Sequence, residues 1–333
     1  MPHLLSPLSF AGLTLRNRIV MPPMWSGQAR PDGSVTPPIV EYHRVRAAAG
    51  CGLVIVEHSF VHPWGRHSAT QIGVHDDTMV EGLSTLASAI KAEGAVACLQ
   101  LSHAGSRSSA KLTGRPPVAP SATQHPYEPV GDVPEALTPA GILDVIAAFG
   151  AAAARGRQAG FDAVEIHAAH GFLLSQFLSP LTNQRTDDFG GSGDRRERLH
   201  VEVLAEVRRR LDGAIPVFVR LGASDGLPGG VGLDEAVHAA ATLVAGGAAL
   251  IDVSGGLCGS RPAGRPAPFW LREAAAIRAQ VGVPVIATGG IADAAFANRI
   301  VEEGQADLVG IGRAMLNDAN WARKAIESLQ QME

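Results

Sequence analysis

Short apolar runs rich in β-branched residues recur along this chain, and between them apolar positions return with helical spacing. The runs predict strands over residues 19–22, 53–57, 95–101, 163–167, 217–221, 250–253, 285–287 and 308–310. The periodic stretches predict helices over 37–49, 78–93, 139–159, 194–211, 233–246, 270–281 and 293–303, with one or two more from Arg313 onward. End signals agree with these assignments. Thr138-Pro139 pairs an N-cap residue with a first-turn proline, and Ala159-Gly160, Gly246-Gly247 and Glu303-Gly304 place glycine at helix ends. Eight strands, each followed by a helical stretch, predict an α/β fold, a (β/α)8 TIM barrel, in one domain spanning 1–333. No G-x-G-x-x-G opens a helix after the first strand, which weighs against an open dinucleotide-binding sheet.

One segment breaks the alternation. Residues 102–137 follow the third strand with few apolar runs, and seven prolines fall from Pro116 to Pro139. A loop of that length in a compact domain is usually functional or disordered, and here it is expected to form a lid-like insertion over the barrel mouth.

Composition narrows the function classes. Of 333 residues, 46% are hydrophobic and 18% charged, ordinary for a chain with a sizeable core. The net charge of −4 gives no reason to expect a nucleic-acid or membrane-surface partner, and small molecules are the expected ligands. The arginine-rich stretches at 195–198 and 208–210 read as solvated helix faces. Cys51, Cys98 and Cys258 lie far apart with no CxxC spacing, so no sequence-local zinc or iron–sulfur motif exists and no metal is expected. The start of the chain does not read as a charged, apolar leader and no run of 18 apolar residues occurs, so the expected location is cytoplasmic.

In a barrel of this kind the C-terminal strand ends converge on the active site. Those ends present Pro22-Pro23-Met24-Trp25, Glu57-His58, Gln100, His167 with His170, Arg220, Ser254, Gly289-Gly290 and Gly312-Arg313. His167 and His170 are the most informative. Two imidazoles at one strand end can both donate to a single oxygen and stabilise charge that grows there, although a lone buried histidine is more often a satisfied core residue. Gly289, Gly290 and Gly312 with Arg313 suit a phosphate after the seventh and eighth strands; read blandly, the glycines only turn the chain. Arg220 and Gln100 could contact a planar heterocycle, or could be a buried ion-pair partner and a satisfied polar residue. A phosphate-bearing flavin, FMN, fits this set.

Several motifs add a resemblance. Asn17 to Met21 (NRIVM), Gln100 to Gly105 (QLSHAG), Val164 to Phe172 (VEIHAAHGF), Ser179 to Gly191 (SPLTNQRTDDFGG), Thr288-Gly289-Gly290 and Asp307 to Arg313 (DLVGIGR) together resemble the old yellow enzymes, FMN-dependent ene-reductases. The resemblance implies FMN across the barrel mouth, reduced by NAD(P)H, and an electron-poor alkene (enone, maleimide or nitroalkene) that accepts hydride from flavin N5. It implies that Pro22, Pro23, Met24, Trp25, His58, Gln100, Arg220, Gly289, Gly290, Gly312 and Arg313 contact FMN. It also implies that His167 and His170 hold the activating oxygen.

The chain departs from that pattern in places. Phe172 stands where the family usually has the tyrosine that protonates the α-carbon. Of the two tyrosines, Tyr42 falls in a helix, while Tyr127 lies in the lid and could reach the substrate. Trp25 replaces the family's usual Cys, Thr or His and is expected to narrow the substrate pocket. The chain ends at Glu333, without the tail that carries an inter-subunit arginine in some relatives, which leaves a homo-oligomer possible but unsupported. It also lacks the cysteine cluster and second flavin domain of the dienoyl-thioester branch. Two other functions stay open at this level: a flavin-dependent desaturase or redox-neutral isomerase at the same site, and, more remotely, a flavin-free barrel that binds a phosphorylated metabolite.

Overall fold

The computed structural model describes residues 2–128 and 131–331. Eight parallel strands close into a barrel: β1 (Ile19–Met21), β2 (Leu53–Phe60), β3 (Val96–Ser102), β4 (Ala163–Ala168), β5 (Val217–Gly222), β6 (Leu250–Ser254), β7 (Val285–Ala287) and β8 (Leu308–Gly310). Outside them lie α1 (Pro37–Ala48), α2 (Val80–Ala92), α3 (Pro139–Gln158), α4 (Gly193–Leu211), α5 (Leu233–Ala245), α6 (Leu271–Arg278), α7 (Ala294–Glu302) and α8 (Trp321–Gln330). Each expected strand and helix is present.

Strand alternation sorts the side chains into two cores. Val164, Ile166, Val219, Leu221, Ile251 and Val253 face the helices. Leu53, Ile55, Cys98, Ala163, Phe218 and Leu250 fill the lower barrel interior. One step of two further up the same strands, the interior turns polar, with Glu57, Gln100, Glu165, Arg220 and Asp252 all buried. The next step brings Ser102, His167 and Ser254 to the mouth.

Four features went unseen in the pattern. A hairpin, Leu8–Phe10 paired with Leu13–Leu15, covers the bottom of the barrel, with the Phe10 and Phe218 rings 5.8 Å apart. β2 runs to Phe60, and its register slips between Val56 and Ser59. The lid is partly structured: a helical turn at Ala110–Thr113 precedes two short strands, Val118–Ala119 and Glu135–Ala136, which pair in parallel. A wholly buried helix, Leu173–Leu178, follows the histidine pair directly. By length and composition α3 could cross a membrane, with a mean hydropathy of 1.2. Here its buried Ile142, Val145, Phe149 and Ala153 side lies on β3, β4 and α4.

Candidate active site

β4 delivers His167 at its end, and the chain then turns sharply. His170 adopts φ 58° and Gly171 φ 68°, a left-handed pair that is costly at the non-glycine position. The surroundings hold that turn in place. His170 N–H donates to the Gly255 carbonyl (2.9 Å), and its carbonyl accepts from Arg107 Nη1 (2.7 Å). The Gln176 amide donates to the Ala104 and Gly171 carbonyls from the helix below. The two imidazoles stand nearly perpendicular, with ring centroids 5.0 Å apart and an interplanar angle of 89°.

Burial drives both rings well below the ordinary imidazole pKa. For His167 the neighbouring His170 and Arg220 add to this, and for His170 Arg220 and Arg107 do. Both are therefore neutral, with one N–H each. His170 Nε2 lies 2.7 Å from Ser254 Oγ, which leaves Nδ1 for a ligand. Nδ1 of His167 is buried without a partner among the described residues, so Nε2 is its remaining nitrogen.

Phe172 lies under this pair, 4% exposed. Its ring centroid is 4.9 Å from His167, 5.4 Å from His58 and 5.3 Å from His67. Arg107 passes over it at 5.6 Å and pairs with Glu128 of the lid. Tyr127 is 40% exposed, and its hydroxyl donates to the Asp225 carbonyl at 2.9 Å. That hydrogen is already committed to a backbone oxygen.

Beside the histidines a cleft of about 1160 Å³ runs across the mouth between the ends of β6, β7, β8 and β1. Pro22, Met24, Arg220, Gly289, Gly290, Gly312 and Arg313 line it, so the structure brings these expected residues together. Gly289 and Gly290 have φ of 103° and 88°, and an added Cβ would fall 2.7 Å from Trp270 Cδ1 and 2.6 Å from Ala267 Cβ. Only glycine fits there, which keeps the cleft floor backbone. Arg261, Arg265 and Arg313 ring this end; Arg265 is paired with Glu273, while Arg313 has no ion-pair partner among the described residues. Pro23 is half-buried and Trp25 is 49% exposed with its ring beside Gly27; neither lines the cleft.

The polar layer beneath answers the two bland readings. Arg220 is indeed a buried ion-pair partner, with Nε 3.3 Å from Asp252 Oδ2, yet it also lines the cleft and its Nε makes no hydrogen bond among the described residues. Gln100 Nε2 donates to Glu165 Oε1 at 2.7 Å. Burial pushes the Asp252 carboxyl up to about 6, against the pull of Arg220, and holds Glu165 well above the usual range. Glu57, which accepts the Ser26 N–H, is pushed up to about 7.

These features fit a flavin mononucleotide. The cleft has a glycine floor and unpaired cations at one end, and a buried guanidinium with an unbonded N–H at the other. A second cavity, about 680 Å³, opens at the bottom of the barrel near Leu13, Phe161 and Val217, away from this chemistry. Sequence reasoning placed Ser254 at the mouth but missed Asp252, His67, Gln71 and Arg107. Alternation along β6 would have found Asp252; nothing local marks the other three.

The model of the NADH:flavin oxidoreductase / NADH oxidase family matches residues 3–332. The chain belongs to this family. It is 38% identical over 99% of its length to NADH oxidase of Thermoanaerobacter brockii, spanning 51% of that longer protein. Against NADPH dehydrogenase of Bacillus subtilis (strain 168) it is 37% identical, covering 98% of this chain and 95% of that one. The chain thus spans about half the length of some curated relatives and nearly all of others. The old yellow enzyme homologue of Zymomonas mobilis superposes with a TM-score of 0.87 at 29% identity, covering 98% of this chain and 93% of that one. By family and by barrel the chain is thus of old yellow enzyme type. The flavin-free phosphate-binding barrel is set aside.

Proposed function

We propose that this enzyme uses NAD(P)H to reduce the C=C bond of electron-poor alkenes such as enones, maleimides and nitroalkenes. The observation that carries this reading is the perpendicular pair of neutral imidazoles, His167 and His170, beside an arginine-ringed cleft. In this reading Gly289, Gly290, Gly312 and Arg313 hold the FMN phosphate. Pro22, Pro23, Met24, Trp25, Gln100 and Arg220 lie along the ring system, with His58 at the edge between cofactor and substrate. Bound there, FMN supplies the hydride equivalent that originates on NAD(P)H.

The chain's own residues do the rest. His167 Nε2–H and His170 Nδ1–H donate to the activating carbonyl or nitro oxygen, drawing electron density from the β-carbon. In this reading Ser254 Oγ, 2.7 Å from His170 Nε2, donates to it, which places that ring's proton on Nδ1 where the substrate needs it. Each such donor is worth about 3 kcal/mol of barrier. Phe172 offers no acid, so the α-carbon proton comes from water.

His167→Ala and His170→Ala are expected to lower kcat for 2-cyclohexenone by about 10²–10³ while FMN stays bound. Stopped-flow reduction by NADPH followed by reoxidation with the enone separates the half-reactions. Unchanged reoxidation in both variants would sink the reading.

A further inference from the structure

The histidine pair does not exhaust the donors at this mouth. Where the register of β2 slips, successive residues are re-aimed: Glu57 stays buried in the barrel and His58 turns half-buried toward Phe172. Its ring meets the Phe172 ring edge-on, 5.4 Å between centroids at 87°.

Gln71 decides which nitrogen of His58 carries the proton. Gln71 Nε2 lies 2.7 Å from His58 Nδ1, 3.1 Å from the His58 carbonyl and 3.3 Å from Ser102 Oγ. Its Oε1 accepts from His67 N–H at 2.6 Å. The opposite amide orientation would set oxygen against the His58 carbonyl and NH₂ against an N–H, so the network admits one orientation. An amide nitrogen only donates, so Nδ1 of His58 is an acceptor and the proton sits on Nε2. Burial pushes this imidazole down to about 3, so it stays a neutral donor. Nε2–H has no partner among the described residues.

The other groups around Phe172 are committed. His67 Nδ1 donates to the Arg107 carbonyl at 3.0 Å, which leaves its other nitrogen an acceptor. The Arg107 guanidinium is held by Glu128 and the His170 carbonyl through three of its five N–H groups. Beyond the pair, His58 Nε2–H is a further donor without a partner among the described residues.

We propose that His58 is a further substrate-binding residue whose Nε2–H takes a second acceptor oxygen. The site then favours alkenes bearing two acceptor groups, such as cyclic imides and 1,4-diones, over those bearing one. This rests on the reading that His167 and His170 hold the first oxygen.

Succinimide and 2-pyrrolidinone share one ring and differ by a carbonyl, so calorimetric titration of the FMN-loaded enzyme with each isolates that second contact. Wild type is expected to prefer succinimide by about tenfold, and His58→Phe to lose most of that preference. Gln71→Leu, which removes the tautomer lock, is expected to lose part of it, and His58→Gln, which keeps an N–H, to retain part. The ratio of kcat/KM for maleimide over 2-cyclopentenone should fall with the binding preference in each variant. No preference in wild type, or an unaltered preference and ratio in His58→Phe, overturns the proposal. His167→Ala tests the first contact separately: if it binds both lactam and imide as wild type does, the paired-imidazole reading fails whatever His58 does.

Discussion

Phe172 is the residue at which this site departs from its family's pattern. Its ring is packed among His58, His67 and His167, and it has no proton to give. Both tyrosine hydroxyls at this end are bonded to backbone, Tyr127 to the Asp225 carbonyl and Tyr42 to the Met24 carbonyl. A phenol ionises near 10 and can share its proton with a carbanion in the transition state, whereas water must be captured and ordered first. Phe172→Tyr is therefore expected to raise kcat more than it changes KM, and to lower the solvent deuterium isotope effect on enone turnover. An isotope effect near unity in wild type would mean that protonation never limits the rate.

At the scale of elements, the lid is tied to the barrel by few residues. Arg185 Nη1 donates to the Pro120 and Leu137 carbonyls at 2.8 and 2.6 Å, one at the middle of the insertion and one at its end, and its other nitrogens grip Asp187. Arg107, within the insertion and paired there with Glu128, supplies the second tie by donating to the His170 carbonyl. The run from Ser179 to Gly191 thus serves here as a clasp, with Asn183 bonding the Phe177 and Phe189 carbonyls to keep its shape. Arg185→Ala leaves two half-buried carbonyls without their donor. It is expected to raise the rate of limited proteolysis within the lid about tenfold or more, roughly the worth of two charge-assisted bonds, with the barrel fragments intact. Cleavage at the wild-type rate would show that the paired strands alone hold the lid.

The whole molecule buries an unusual number of titratable groups, and their shifts set how its stability depends on pH. Burial lowers His43, His125 and His200 to about 4 and His58 and His103 to about 3. An unfolded chain takes up these protons below about 6.5. Each of the five therefore contributes stability that is full above that pH and is lost as pH falls toward 4. Glu57, Asp252 and Glu165 are raised, so their contribution is full below the ordinary carboxylate range and is lost as pH rises through about 7 for Glu57 and about 6 for Asp252. Burial likewise lowers His62, His67, His75, His167 and His170 and raises Glu197 and Asp225, so between about pH 4.5 and 6.5 ten groups oppose five and stability rises with pH. Urea midpoints measured across that window should climb. His200, with both ring nitrogens unpartnered among the described residues, should account for part of the slope, and His200→Leu should flatten it.

The order of strands and helices was written in the sequence because one period of two and one near three and a half repeat along it, and each is a property of local backbone geometry. The paired histidines, the glycines at the ends of β7 and β8 and Arg313 were legible for a related reason: barrel topology alone carries strand ends to one mouth. Alternation could also have revealed Asp252. What the linear pattern could not contain was which distant groups meet. Gln71 reaches His58, Arg107 braces His170, and Arg185 ties the middle of the lid to its end only after loops from different βα units fold across one another. The hydrogen-bond partner that fixes a tautomer is set by those contacts, so the sequence by itself determined where the imidazoles stand, and tertiary structure decided which of their nitrogens can act.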